Sequence, residues 1–395
     1  MTNEVKKVPE LRFPEFDGEW EGIYLNKLGM FKKNYTFSRA NEGDGTLRHI
    51  HYGDIHSKFK SKIEKIELLP SISIDLEDPQ LVQNNDLIFA DASEDYNDLG
   101  KTILMKVNNG NVIAGLHTHL FSPNNNLNSE FLLYFTQTKV YRKFIKRQGV
   151  GISVLGISKK NLDKLLVSLP KYNEQKKIGE FFSKLDRQIE LEEEKLELLE
   201  QQKRGYMEKI FSQELRFKDE NGNEYPEWEN KKFLEIFKLV PSKKNQIKSS
   251  EVVENGIIPV VDQGKAIFLG YSNEKGKVIK DFDNVIVYGD HTTIVKYIKE
   301  PFIIGGDGVK LLTSNDGSLI HYLYILLQHF NVNPEGYKRH YSILKTKKMN
   351  ISNTKEEQEK IGNFFEKQDN LIKKQSDKVE LLKERKQGFL QKMFV

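Results

Sequence analysis

The sequence of 395 residues contains no cysteine. A disulfide framework and a zinc site built on thiolates are therefore excluded. No apolar run approaches the length of a bilayer span, and the opening segment MTNEVKKVPELRF lacks the apolar core of a secretory signal. These absences predict a cytoplasmic protein. The net charge is only +4, which permits nucleic-acid binding without requiring it, so the distribution of the charges has to decide.

Several catalytic motifs are also missing. The chain has no [DNS]-P-P-[YF] segment for a target base, no G-x-G-x-x-G after a strand and no H-E-x-x-H. A free-standing Mg²⁺-dependent nuclease stays open as an alternative, because Asp17, Glu21 and Lys27 lie close together in the sequence. The second half of the chain lacks that spacing, which argues against it. The sequence thus gives little support to a free-standing nuclease or methyltransferase.

One segment occurs twice. NEQKKIGEFFSKLD at 173–186 returns as EEQEKIGNFFEKQD at 356–369, and the likeness continues without a gap to the end of the chain. In both copies apolar residues recur in steps of four and three, which is typical of a coiled-coil helix. Each helix would have about 39 residues and a length of roughly 58 Å. TKEE at 354–357 predicts a capping box at the start of the second helix.

The regions before the helices also resemble each other, though less strongly. LRFPEFDGEW (11–20) matches LRFKDENGNEYPEW (215–228), NDLIFADA (85–92) matches NVIVYGDH (284–291), and VIAGLHTHLF (112–121) matches FIIGGDGVKLL (302–312). Runs of β-branched and aromatic residues bounded by Gly, Asn and Asp predict strands. The predicted fold is α+β: a first module at 1–170, a helix at 171–212, a second module at 213–352 and a helix at 353–395.

The two predicted helices would pack antiparallel and place the modules about a pseudo-two-fold axis. A spacer of this length exceeds one DNA turn of about 34–36 Å. A coiled-coil adaptor that never touches DNA is a further alternative. Gly179 and Gly362 fall inside the helices at the same register, which indicates close approach of another backbone, with a partner helix as the candidate. The seam and subunit-docking residues are predicted to be Ile178, Gly179, Phe182, Ile189, Leu199, Ile361, Gly362, Phe365, Ile372 and Leu382.

This arrangement resembles the specificity subunit of type I restriction–modification enzymes. The likeness rests on ELRFPEFDGEW, HIHYGDIH, GISKKNLDKLLVSLP and the two E-Q-x-K-I-G-x-F-F segments, and it covers nearly the whole chain. The resemblance implies two target-recognition domains separated by two helical spacers. It implies partners as well: double-stranded DNA with two half-sites and an unread gap, two methyltransferase subunits that modify adenine N6, and restriction subunits. S-adenosylmethionine, ATP and Mg²⁺ would be bound by those partner chains, and the resemblance implies that this chain is non-catalytic and binds no cofactor of its own.

Three segments of the first module are candidate DNA contacts. VYRKFIKRQG (140–149) ends a helix predicted from about residue 130, and its outer cations suit phosphates; a solvated helix end is the alternative. RHIHYGDIHSKFKSK (48–62) offers donors and a flat ring, or an ordinary strand and turn. QGVGISVLGISKKN (148–161) is a Gly-rich loop facing DNA or a plain connector. The candidate residues are Arg48, His49, His51, Tyr52, Lys58, Arg142, Lys143, Lys146, Arg147, Gly151 and Ser153.

In the second module the polar clusters PVVDQGKAIFLGYS (259–272) and VYGDHTT (287–293) carry side chains able to bind base edges. A structural turn, or an acid/base pair of Asp290 with His291, is the alternative. YKRHYSILKTKK (337–348) adds a basic segment suited to phosphates, whereas IIGGDGVK (303–310) is interpreted as a turn between strands. The candidate residues here are Asp262, Gln263, Lys265, Asp290, His291, Lys338, Arg339 and His340. No metal site is predicted in either module.

Overall fold

A computed structural model describes residues 7–108, 110–336 and 338–395. The chain divides into two compact units. The first contains the residues up to Glu193 together with Asp377–Val395, and the second is Glu194–Ser376. Each unit therefore holds one module and one half of each long helix.

The first module is built from short strands and short helices. Its strands are β1 (Glu21–Tyr24), β2 (Gly29–Phe31), β3 (Glu42–Ile50), β4 (Lys62–Ile63), β5 (Ser71–Ile72), β6 (Leu87–Ala90), β7 (Ala92–Ser93), β8 (Thr102–Met105), β9 (Val112–Ala114), β10 (Thr118–Pro123), β11 (Leu155–Gly156) and β12 (Leu166–Leu169). Its helices are α1 (Leu25–Leu28), α2 (Tyr52–Ser57), α3 (Ser129–Phe135), α4 (Lys139–Gln148) and α5 (Lys159–Leu162), followed by the long helix α6 (Tyr172–Phe211).

The second module repeats this plan with fewer elements. Its strands are β13 (Glu229–Lys232), β14 (Phe237–Val240), β15 (Gln246–Ile247), β16 (Ile258–Val261), β17 (Gly270–Ser272), β18 (Ile286–Gly289), β19 (Val295–Lys296), β20 (Ile303–Gly305), β21 (Val309–Ser314) and β22 (Lys348–Ile351). Its helices are α7 (Phe233–Ile236), α8 (Ile320–His329) and α9 (Tyr341–Leu344), followed by α10 (Lys355–Lys392).

Sheet topology shows that the two modules share one fold. The main sheet has the order β2-β10-β6-β8-β4 in the first module and β14-β21-β18-β19 in the second. Antiparallel pairs β1-β12 and β13-β22 occupy equivalent positions before the long helices. Strands β6 and β18 are buried along their whole length, as expected for the middle of a sheet covered on both faces. The predicted α+β fold with tandem modules is confirmed.

Each hydrophobic core is completed by the ends of both helices. In the first unit Phe182 near the start of α6 and Phe394 just after α10 pack with Phe131 and Trp20. In the second unit Phe365 of α10 and Phe211 of α6 belong to the core around Tyr322. Burial of large aromatic side chains is the main stabilising contribution at such sites.

Two local predictions are wrong. The helix predicted from about residue 130 to 149 is two helices, α3 and α4, because Thr136 ends the first and the side chain of Thr138 caps the second by accepting the Tyr141 N–H at 3.3 Å. The capping box of TKEE does not form. Its Glu357 instead binds Ser352 at 2.6 Å and Arg216 at 3.2 Å.

Candidate DNA interface

The repeated segment, residues 174–182 and 357–365, attaches each long helix to its own module. Glu174 accepts two hydrogen bonds from Arg12, at 2.7 and 2.8 Å, and Glu357 pairs with Arg216 at 3.2 Å. Both carboxylates are almost fully buried, with 2 % and 1 % of the side chain exposed. The hydrogen bond from Arg12 to Glu174 raises the pKa of the guanidinium further. Each arginine comes from an L-R-F segment that opens a module, so the two sequence repeats contact each other.

The glutamine that follows makes equivalent contacts in both copies. The side-chain oxygen of Gln175 accepts the Asn128 N–H at 2.8 Å, and that of Gln358 accepts the Leu319 N–H at 2.9 Å. Asn128 and Leu319 are the residues before α3 and α8. A buried amide thus satisfies a backbone donor that a helix start leaves without an intrahelical partner.

The glycines of the repeated segment lie against the same module helices. A Cβ added to Gly179 would lie 2.8 Å from Cβ of Glu130 and 3.2 Å from the Phe131 nitrogen. At Gly362 it would lie 1.9 Å from Cδ2 of His321. At Gly179 the predicted close approach of another backbone exists, and that backbone belongs to α3 of the chain itself; at Gly362 the neighbour is the His321 side chain of α8.

Within each unit the two helix halves run antiparallel, and an equivalent half-buried ion pair joins them. Nζ of Lys386 lies 2.5 Å from Asp186 and donates to Gln137 at 2.9 Å. In the second unit Nζ of Lys203 lies 2.6 Å from Asp369 and donates to Gln328 at 3.2 Å. The remaining predicted seam residues differ in burial. Ile178, Phe182, Ile189, Ile361, Phe365 and Leu382 are buried, whereas Leu199 and Ile372 are half-buried.

In the first module two of the predicted DNA-contact segments meet at Asp91, which follows strand β6. The Asp91 carboxylate lies 3.1 Å from Nδ1 of His117 and 3.6 Å from Nδ1 of His119. The His117 ring contacts Tyr52 at 5.3 Å, and the Asp91 carbonyl accepts the Ile157 N–H at 2.9 Å. Segments 48–62 and 148–161 therefore form one surface.

Aromatic rings dominate that surface. Tyr52 is half-buried and its ring centroid lies 4.6 Å from His51, 5.6 Å from His56 and 5.3 Å from His117. The side chain of His117 is 49 % exposed, and its backbone has a positive φ of 55°. Asp91 and His117 were missed at the sequence level. The alignment of NDLIFADA with NVIVYGDH could have found Asp91, since it pairs that residue with Asp290.

Several candidate contacts in the first module are buried or already hydrogen-bonded within the chain. His49 is fully buried, and His51 caps α2 by accepting the Gly53 N–H at 3.0 Å, while burial lowers the His51 pKa. Arg142 donates to the Asn97 and Leu99 carbonyls, both at 2.8 Å, and burial lowers its pKa. These groups stabilise loops. Arg48 also donates to a carbonyl, that of Leu69.

The other candidates of the first module are open to solvent. Lys58 is exposed, although its Nζ donates to the Leu68 carbonyl. Further exposed residues are Lys143, Lys146, Arg147, Gly151 and Ser153. The cations can neutralise phosphates without any rearrangement of the fold.

In the second module Asp290 lies at the equivalent end of strand β18, but its surroundings differ. It is 4 % exposed, and its carboxylate accepts the Tyr341 N–H at 2.9 Å. His340 is fully buried; its Nε2 accepts the Glu335 N–H at 2.9 Å, and the Asp290 carbonyl accepts its backbone N–H at 2.7 Å. Both side chains are enclosed by the module, so their contact with DNA stays a prediction that this arrangement does not favour. No Asp290–His291 pair forms, because the His291 Nδ1 faces the Lys338 carbonyl at 3.0 Å.

The side chains of Asp262 and Gln263 hydrogen-bond to loops of the module. Gln263 accepts the His291 N–H at 3.1 Å and donates to the Asp307 carbonyl at 3.3 Å. The Asp262 carboxylate accepts the Gly264 N–H at 2.9 Å. Lys296 donates to the Asp262 backbone carbonyl at 2.9 Å, and burial lowers the Lys296 pKa. Both predicted residues are half-buried and engaged.

Exposed cations remain at the same end of the second module: Lys265, Lys338 and Arg339. Tyr337, which opens the predicted basic segment, lies outside the described residues. Segment 303–310 forms strands β20 and β21 with a turn between them, as predicted.

Among the described residues, no group of three or more His, Cys, Asp or Glu side chains is placed to hold a metal ion. No helix in the described part of the chain has the length and apolar character needed to span a membrane.

Comparisons with known proteins identify the family. Residues 18–201 and 225–381 match the family described as type I restriction modification DNA specificity domain. The chain belongs to this family, and its class is therefore the specificity subunit, the non-catalytic member of a type I restriction–modification system. The family assignment confirms the resemblance seen in the repeated segments.

Curated relatives carry the same description. The chain is 31 % identical over 131 residues to the type I restriction enzyme MjaVIII specificity subunit of Methanocaldococcus jannaschii, covering 32 % of this chain and 30 % of that protein. It is 29 % identical over 223 residues to the putative type I restriction enzyme MjaX specificity subunit of the same organism, covering 51 % of this chain and 50 % of that protein. These matches span between about a third and a half of the relatives' length.

Solved structures share the fold. The S subunit of a type I restriction–modification system from M. genitalium aligns over 98 % of this chain and 99 % of that chain, with a TM-score of 0.62 and 16 % identity. A chain from a study of complex assembly and conformational transition of the type I R-M system aligns over 95 % and 97 %, with a TM-score of 0.52 and 16 % identity.

Proposed function

We propose that this chain selects a two-part DNA target, with one half-site bound by each module. The observation that carries the proposal is the duplication itself. Both modules have the same main sheet and the same contacts to a long helix, but different side chains around Asp91 and Asp290. A shared frame with different surfaces is what two different half-sites would require. Exposed cations beside each surface supply sequence-independent affinity for phosphates.

The same duplication supports the docking of two identical partner subunits, one on each long helix. The buried faces of the repeated segment hold the modules, whereas Lys176, Glu180, Glu359 and Asn363 point outward on the two copies. We propose that two adenine-N6 methyltransferase subunits dock on these helices and that restriction subunits join through them. S-adenosylmethionine, ATP and Mg²⁺ would then act in the partner chains, and this chain would supply DNA selection and subunit positioning.

The helices are proposed to fix the gap between the half-sites. Removing one heptad from each helix, residues 194–200 and 370–376, keeps the Lys203–Asp369 pair and the Lys378–Glu192 pair on either side of the cuts. It shortens both helices by about 10 Å. Adenine-methylation mapping of a strain carrying this variant and the methyltransferase subunits should show a shorter gap with unchanged half-sites. Altered half-sites with an unchanged gap would contradict the proposal.

A further inference from the structure

The first module carries an apolar tip on its surface beside Asp91. Val150, Ile152 and Val154 are 68 %, 100 % and 62 % exposed, and they alternate with Gly151 and Ser153. Single exposed apolar residues are ordinary, but three at one loop tip point to an interaction surface.

The tip is a defined hairpin. The Val150 N–H donates to the Gly156 carbonyl at 2.9 Å, and the Gly156 N–H donates to the Val150 carbonyl at 2.7 Å. Gly151 has a φ of +135°, and a Cβ there would lie 2.0 Å from the Val154 carbonyl oxygen. Strand β11 of the hairpin pairs with β7. The fold therefore holds these apolar side chains in solvent.

Cations stand on both sides of the hairpin in the chain. Lys146 and Arg147 precede it and Lys160 follows it, all exposed. An apolar tip between cations suits a DNA groove, where base edges and thymine methyl groups lie between two rows of phosphates.

In the second module the equivalent segment is the one that precedes His340. Its described residues form no such apolar tip. There the Asp290 carbonyl accepts the His340 N–H at 2.7 Å, as the Asp91 carbonyl accepts the Ile157 N–H at 2.9 Å. The residues before His340 include Glu335, Lys338 and Arg339, which are exposed. A surface for a partner that docks twice would be expected in both modules, so the difference favours a ligand that differs between the modules.

We propose that the hairpin of residues 150–156 enters the DNA groove of one half-site and that Ile152 contacts base edges there. The inference rests on the proposed function, since it assigns a specificity-determining residue to the first module. Loss of the Ile152 side chain should then relax the sequence of one half-site and leave the other half-site unchanged.

The test uses the full chain assembled with the methyltransferase subunits of its host. Adenine-methylation mapping with the wild-type chain defines the motif, and a duplex carrying that motif is then used for binding. Ile152→Ser should weaken binding about tenfold, the change that corresponds to losing one buried isoleucine side chain. Met30→Ser in strand β2 is the matched control, because Met30 is a 65 % exposed apolar residue of the same module that is not part of the hairpin. Its binding and motif should equal those of the wild type.

The two halves of the motif separate base contact from phosphate contact. Ile152→Ser should relax one half and leave the other as in the wild type, whereas Arg339→Ala, which removes an exposed cation of the second module, should weaken binding and leave both halves unchanged. Wild-type affinity and motif for Ile152→Ser, or relaxation of both halves by this variant, would overturn the inference. Failure of Ile152→Ser to assemble with the methyltransferase subunits would assign the hairpin to a protein contact and would also overturn it. Absence of any motif with the wild-type chain would instead refute the proposed function.

Discussion

The glycines of the repeated segment offer a prediction with controls inside the same units. Alanine at Gly179 would bring Cβ to 2.8 Å from Glu130, and at Gly362 to 1.9 Å from the His321 ring. Gly388 in the first unit and Gly205 in the second have no atom within 4 Å of such a Cβ. All four positions lie in the long helices, so they share the same backbone propensity.

The expected magnitudes follow from two opposing effects. Replacing Gly by Ala inside a helix stabilises it by about 1 kcal/mol. Insertion of a methyl group into a packed site costs about 1–3 kcal/mol. Gly205→Ala and Gly388→Ala should therefore raise the free energy of unfolding, whereas Gly179→Ala and Gly362→Ala should lower it. The helix-propensity gain is the same for all four variants. The difference in free energy of unfolding between Gly179→Ala and Gly388→Ala, and between Gly362→Ala and Gly205→Ala, is therefore the packing cost alone.

Urea unfolding followed by tryptophan fluorescence measures these changes, because Trp20 lies in the core of the first unit and Trp228 beside the core of the second. A second-site change sharpens the test. In a His321→Ala background, Gly362→Ala should become stabilising, since the ring it meets is gone. If all four alanines stabilise the chain equally, the repeated glycines do not serve attachment to the modules, and the reasoning fails.

Three further predictions concern the helix contacts. Arg216→Met leaves the buried Glu357 carboxylate without its cation and should lower the free energy of unfolding by about 3 kcal/mol in the urea assay; an unchanged value would show that the pair contributes nothing. Exchanging the charges of Lys203 and Asp369 together should restore most of the stability that either single reversal loses, as a double-mutant cycle measures; simple additivity would exclude direct coupling. A fragment ending at Phe211 should form a homodimer, as light scattering measures, because it retains Asp186 and Lys203, which occupy the positions of the two partners in the repeated ion pair. A monomer that stays inactive with its partners would argue against self-pairing.

The sequence predicts the frame of the molecule well. The long helices, the paired modules and the strands near residues 85–92 and 284–291 follow from periodicity and from internal similarity, which are local properties. The contacts of Arg12 with Glu174 and of Arg216 with Glu357 join distant segments, so they emerge only in the fold. The duplication is nevertheless consistent with these contacts, since the L-R-F and E-Q segments that form them are repeated together.

The candidate DNA interface was harder to predict because residue type alone does not report burial. His49 and His340 are polar, but the fold encloses both side chains. Arg142 lies in a basic helix and yet binds backbone carbonyls of a neighbouring loop. Asp91 and His117 carry no charge cluster in the sequence, and only the end of strand β6 brings them beside Tyr52.

The central claim is that this chain selects a two-part DNA target for methylation. Adenine-methylation mapping of one strain, with and without this chain beside its methyltransferase subunits, tests it most directly. The account predicts a single motif of two half-sites with a fixed gap, lost completely when the chain is absent. An unchanged methylation motif without the chain would contradict the claim, and so would a continuous motif without a gap.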